Sequence, residues 1–178
     1  YSKKLEDPRI RSIYFNFKKK ISGHISKGFC VAVSGGVDSM ALSFLAKCYS
    51  IENKKKCYFF IVDHKLRKNS SNEAHYVKKK LKSFKISSEI LTIKKEKIST
   101  NIQSFARDNR YKLIINQSLD KKIDMILTAH HADDLIENFF IRLLRGSGLK
   151  GLISFSKIKS KVTLDDKIFI LRPLLDTS

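Results

Sequence analysis

The chain has 178 residues, 42% of them hydrophobic, which suits one α/β domain with a buried core and leaves no room for two full domains. No apolar run reaches the roughly 18 residues that a bilayer-spanning helix needs, and the first stretch alternates apolar and charged positions, unlike a signal peptide's apolar centre. Lys and Arg number 36 against 17 Asp and Glu, giving a formal charge of +19 that favours a polyanionic partner, nucleic acid being the natural one.

Of those basic residues 28 are lysine, a bias that AT-rich coding also produces, so runs such as Lys18–Lys20, Lys54–Lys56 and Lys78–Lys80 read equally as solvated faces. Cys30, Cys48 and Cys57 form no CxxC pair, which argues against structural zinc or a cysteine-held iron–sulfur cluster. Cys30 and Cys57 sit beside apolar strand residues, as buried thiols of a reducing cytoplasm do. A chain running from Tyr1 to Ser178 without tail composition is expected to be a fragment of a longer protein.

In chain order, Asp7-Pro8 predicts a helix start, with Asp7 as cap and Pro8 at the first helical position. Ile10, Ile13, Phe17, Ile21 and Ile25 follow as one apolar stripe. Phe29–Val33 reads as a buried strand running into Ser34-Gly35-Gly36-Val37-Asp38-Ser39, then a helix apolar on most sides (Met40, Ala41, Leu42, Phe44, Leu45). Tyr58–Val62 is a second strand. Ser70-x-x-Glu73 has the capping-box pattern and opens a helix to about Lys85. Glu89–Ile93 is a third strand, and Thr100-x-x-Gln103 opens another helix to about Leu119. Asp124–Thr128 is a fourth strand, followed by a helix from about His131 to Arg145 that Gly146 ends. Lys161–Leu164 and Ile168–Leu171 offer one or two further strands. Repeated β-then-α units predict a parallel sheet with helices on both faces.

In open sheets of this kind ligands sit beyond the carboxyl ends of the strands. At the first such end, two glycines between strand and helix let backbone N–H groups approach an anion, and the helix N-terminus that follows suits phosphate. The Gly-Lys-Ser/Thr of the common P-loop is absent. A carboxylate at Asp38 facing phosphate needs a cation between them, most simply Mg²⁺. The alternative is a plain tight turn in which Asp38 or Ser39 caps the helix.

At the fourth strand end, His130, His131, Asp133, Asp134 and Glu137 crowd eight positions, with Asp133, Asp134 and Glu137 on one helix face. They form an acidic pocket, a zinc or di-metal set, or acids that merely complement the helix dipole. The second strand ends in Asp63-His64-Lys65-Leu66-Arg67, and Arg107 and Arg110 lie three apart on one helix face, as phosphate ligands or surface residues.

Ser-Gly-Gly-Val-Asp-Ser after an apolar strand resembles the PP-motif of the N-type ATP pyrophosphatases, with the adenine nucleotide alpha hydrolase-like fold. Val62 to Arg67, Glu73-Ala74, Ala106-Arg107-x-x-Arg110-Tyr111, His131-x-Asp133-Asp134-x-x-Glu137, Arg145-Gly146-Ser147-Gly148 and Arg172-Pro173-Leu174-Leu175 follow in order. Together they resemble the N-terminal domain of the tRNA(Ile)-lysidine synthetase family over nearly the whole chain. Asn138 departs from the Thr that family often has after the Glu.

The resemblance implies a ligase using ATP and Mg²⁺ to join free L-lysine to the wobble cytidine of tRNA(Ile), changing codon reading from AUG to AUA. ATP would bind at Ser34, Gly35, Gly36, Val37, Asp38, Ser39 and Asp63, with Mg²⁺ partly on Asp38. Asp38, Arg107, His131, Asp133, Asp134 and Glu137 would carry the chemistry. It further implies one domain over 1–178 without the family's C-terminal tRNA-gripping domains, a cytoplasmic enzyme with no membrane partner, and a homodimer among the open assemblies. The rivals are a tRNA thiolase or another ligase of the superfamily, and an ATP- or RNA-binding module without turnover.

Overall fold

The computed structural model describes residues 5–65, 67–93, 102–129, 159–161 and 168–174, with backbone alone at 102–108 and 159–161. Among the described residues six strands form one sheet: β1 (Gly28–Val33), β2 (Lys56–Asp63), β3 (Glu89–Thr92), β4 (Met125–Leu127), β5 (Lys159–Lys161) and β6 (Phe169–Leu171). Their order is β3-β2-β1-β4-β6-β5. The first five of these positions are parallel, and β5 closes the edge antiparallel to β6. The expected parallel sheet is therefore present, with an antiparallel edge strand added.

Four helices are described: α1 (Pro8–Ile21), α2 (Val37–Glu52), α3 (Ser70–Ser83) and α4 (Ile102–Asp120). Strand residues alternate between two cores, as the two-residue period of a strand requires. Phe29, Val31 and Val33 of β1, Phe59 and Ile61 of β2, and Met125 and Leu127 of β4 pack with α1, α2 and α3. Cys30, Phe60, Ile126 and Ile170 face the other way, where Ile114 and Ile115 of α4 cover them. Helices lie on both faces.

Asp7 caps α1, its Oδ1 accepting from the Arg9 N–H at 2.8 Å, and Pro8 follows as predicted. The buried stripe of α1 is Tyr14, Phe17 and Ile21, whereas Ile13 is 48% exposed and does not belong to it. Tyr14 turns inward because its hydroxyl has a partner there, the Glu52 carboxylate, which Lys18 also pairs at 2.6 Å. Ser70 is likewise no cap: Asn69 holds that position and makes no side-chain cap bond. The expected cap at Thr100, the helix over 131–145 and the strand residues 162–164 lie outside the described residues. Cys30 and Cys48 are buried, Cys57 is half-buried, and all three are free thiols.

Candidate active site

The sheet order reverses between β1 and β4, so the crevice at their carboxyl ends is the topological switch point where such folds bind ligands. The loop 34–39 leaves β1 there. Gly35 has φ +91°, and a Cβ on it would stand 2.4 Å from the Val77 Cγ2 of α3. Only glycine fits both the left-handed backbone and that contact. Gly36 is the N-cap of α2 and makes no side-chain cap bond, so neither Asp38 nor Ser39 caps the helix. A helix N-terminus whose cap residue offers no side chain is a setting that suits an anion.

Ser39 is buried and braces the loop from within. Its hydroxyl accepts from the Gly35 N–H at 3.0 Å and donates to the Gly36 carbonyl at 2.9 Å. Ser43 in turn donates to the Ser39 carbonyl at 2.7 Å. Ser34, Val37 and Asp38 are exposed on the outer side of the loop. Thus the loop's rigidity comes from Ser39, and its outward face offers backbone, the Ser34 hydroxyl and the Asp38 carboxylate.

At the end of β2, Asp63 is 3% exposed. Its Oδ1 accepts from the Lys65 N–H at 3.0 Å and the Ser70 hydroxyl at 2.8 Å, and its Oδ2 from the Ser71 hydroxyl at 2.7 Å. Lys65 Nζ lies 3.3 Å from Oδ2. Burial alone pushes the Asp63 carboxyl up, but the bonds from Ser71, Ser70 and Lys65 overcome it and bring it down to about 2. Asp63 thus ties the β2 end to the start of α3, the helix whose Val77 shapes the Gly35 turn. Its carboxylate oxygens are occupied within the protein, and its carbonyl accepts from the Ile93 N–H at 3.0 Å.

Arg110 Nη2 donates to His64 Nε2 at 3.1 Å, which leaves the imidazole proton on Nδ1. Nδ1 is buried and has no hydrogen-bond partner among the described residues. Burial and the Arg110 charge lower the His64 pKa against the opposing pull of Asp63, so the ring stays neutral. Arg107 lies one turn before Arg110 near the start of α4, at the same edge of the sheet. Thr128, buried just past β4, donates its N–H to the Leu171 carbonyl at 3.0 Å and holds the ends of β4 and β6 together. Arg172, also buried, follows β6.

His131, Asp133, Asp134 and Glu137 lie outside the described residues, and with them the question of a His/Asp/Glu metal set. Among the described residues no group of three or more His, Cys, Asp or Glu is placed to hold a metal ion. Sequence reasoning missed the clamps on Asp63, because Ser70 and Ser71 stand seven and eight positions on, in no local pattern. It also missed Tyr76 and Asn72, which with Ser34, Gly35, Asn69 and Glu73 line a groove of about 530 Å³ beside the loop.

A switch-point crevice with a glycine turn leading into a helix N-terminus is the arrangement that α/β domains use to bind phosphate groups. The family model described as PP-loop domain matches residues 10–178, and the chain belongs to that ATP-binding family. It is 40% identical over 146 residues to the tRNA(Ile)-lysidine synthase of Orientia tsutsugamushi (strain Boryong), covering 82% of this chain and 32% of that protein. It is 37% identical over 160 residues to the tRNA(Ile)-lysidine synthase of Rickettsia rickettsii (strain Sheila Smith), covering 90% and 32%. The chain therefore spans about a third of the length of these curated relatives.

Among solved structures, the U34-tRNA thiolase NcsA of Methanococcus maripaludis superposes with a TM-score of 0.77 at 18% identity, covering 95% of this chain and 59% of that one. The NH3-dependent NAD synthetase of Campylobacter jejuni gives 0.52 at 17% identity, covering 78% and 59%. Both are likenesses of fold.

Proposed function

We propose that the chain is the ATP-cleaving catalytic domain of a tRNA(Ile)-lysidine synthase. It would use ATP to join lysine to C2 of the wobble cytidine of isoleucine tRNA, releasing AMP and pyrophosphate. The observation that carries the reading is the braced loop 34–39, whose Gly35 turn and uncapped α2 N-terminus fit a pyrophosphate group. The similarity to the two tRNA(Ile)-lysidine synthases supplies the acceptor.

In this reading Gly36, Val37 and the first turn of α2 bind the phosphates of ATP through N–H groups, and the Ser34 hydroxyl adds a contact. Ser39 keeps the loop in shape. Asp38 would hold Mg²⁺, which would supply positive charge to offset that of the phosphates. The cytosine O2 attacks the α-phosphorus, and the bond to the bridging oxygen breaks to release pyrophosphate. The lysine ε-amine then attacks C2, the C2–O bond breaks, and AMP leaves. Arg107 and Arg110 stabilise the phosphate charge, Arg110 being oriented by His64.

The second step has a protonation cost. A lysine amine of pKa about 10.4 is mostly ammonium at neutral pH, and deprotonating it costs roughly 4–5 kcal/mol. In this reading Asp133, Asp134 and Glu137 attract the ammonium and then accept its proton, and His131 assists.

The test is incubation with labelled ATP, Mg²⁺, lysine and an isoleucine tRNA transcript carrying a wobble cytidine. AMP that depends on tRNA, with lysine incorporated at that cytidine, is expected. Glu137→Gln should lose lysine transfer more than base adenylation. AMP without lysine transfer would point to a different modification, and absence of AMP in the full-length protein to a binding module.

A further inference from the structure

Tyr76 projects from α3 with 65% of its surface exposed, while Ala74, Val77 and Leu81 of the same helix are buried. A single exposed aromatic is ordinary. This one lines the groove of about 530 Å³ that shares Ser34 and Gly35 with the anion loop. That volume is of the order of a small-molecule site. Asn69, Asn72 and Glu73 complete its wall. Asn is among the best helix-capping residues, yet Asn69 at the α3 cap position makes no cap bond and leaves its amide to the groove.

We propose that this groove is a stacking and reading site for a nucleobase of the substrate RNA that neighbours the base being modified. The proposal rests on the RNA-modifying reading above. The charges decide what enters. Glu73 repels phosphate and accepts a hydrogen bond from an exocyclic amino group, so the groove suits a base and not the backbone. The amides of Asn69 and Asn72 each offer donor and acceptor to a base edge. The Tyr76 ring supplies the stacking plane that single-stranded RNA recognition uses.

Cations flank it for the backbone. Lys79 and Lys80 stand one helical turn beyond Tyr76, and Arg67 and Lys68 lie in the loop before α3, all exposed. An adenine of ATP is the rival occupant. The 65% exposure of the ring suits a strand passing across the surface better than a small nucleotide enclosed in a pocket.

The experiment compares the wild-type chain, Tyr76→Ala and Tyr76→Phe for binding to an isoleucine tRNA anticodon stem-loop and, separately, to ATP. Tyr76→Ala should weaken RNA binding by roughly 5- to 150-fold, with ATP affinity unchanged. Tyr76→Phe keeps the plane and should bind RNA as the wild type does. Unchanged ATP affinity also reports that the variants are folded. If Tyr76→Ala binds RNA as well as the wild type, the groove assignment falls alone. If it loses ATP instead, the groove belongs to adenine and the proposal is overturned. If neither this chain nor the full-length protein binds RNA, the functional reading fails and takes the groove with it.

Discussion

Asp63 is the residue on which the β2 end and the start of α3 both depend. Its carboxyl, brought from the usual 3.8 to about 2, is deprotonated throughout the ordinary pH range while 3% exposed. A carboxyl depressed by folding contributes stability that is complete above its unfolded value and is lost as pH falls through the folded one. The window is thus from just above 3.8 down to about 2. The gap corresponds to about 2 kcal/mol. Asp63→Asn lacks the charge and presents an amide donor to the Ser70 and Ser71 hydroxyls. Urea unfolding measured from pH 6 to pH 2 should show the wild type losing about 2 kcal/mol more than Asp63→Asn across that window. Parallel profiles would show that another acid carries the acid sensitivity.

Among the elements, α1 shows how far helical spacing alone carries an argument. Phe17 is 1% exposed and meets the Tyr49 ring of α2 edge-on, with centroids 6.5 Å apart. Phe17→Ala should therefore cost about 3–5 kcal/mol in chemical denaturation. Ile13→Ala, at a position 48% exposed, should change stability by no more than about 0.5 kcal/mol. Equal costs would return Ile13 to the core stripe. The apolar runs that become β1 and β2, the Asp7-Pro8 start and the glycine turn were legible, because each is decided by neighbours in sequence. Ile13 and Tyr14 were not, since the choice between them is made by Glu52, far along the chain on α2. The same holds for Ser70: a capping pattern is local, but Asp63 takes its hydroxyl from another element. Of the candidate site, the loop 34–39 could be read as an anion binder, while its packing on Val77 of α3 is a tertiary fact no local pattern contains.

At the scale of the whole molecule, the question is how much of the +19 charge acts on a partner and how much is composition. The parallel strands place some of these cations at the edge that carries the anion loop and others at the opposite edge. Arg67 and Lys68 follow the carboxyl end of β2, on the edge that carries the anion loop. Lys54 and Lys56 stand where β2 begins, at the opposite edge, and are as exposed. Each cation that meets an RNA phosphate contributes about −0.7 to −0.9 to the slope of log affinity against log salt. With about four such contacts, tRNA affinity should fall roughly a hundredfold between 50 and 200 mM salt. The double variant Arg67→Gln, Lys68→Gln should flatten that slope by about 1.4 to 1.8, whereas Lys54→Gln, Lys56→Gln should leave it unchanged. Equal flattening by both pairs would mean that the charge acts as a diffuse cloud with no preferred face. A wild-type slope near zero would remove RNA as the partner that the charge serves, and leave the lysine excess as a matter of composition.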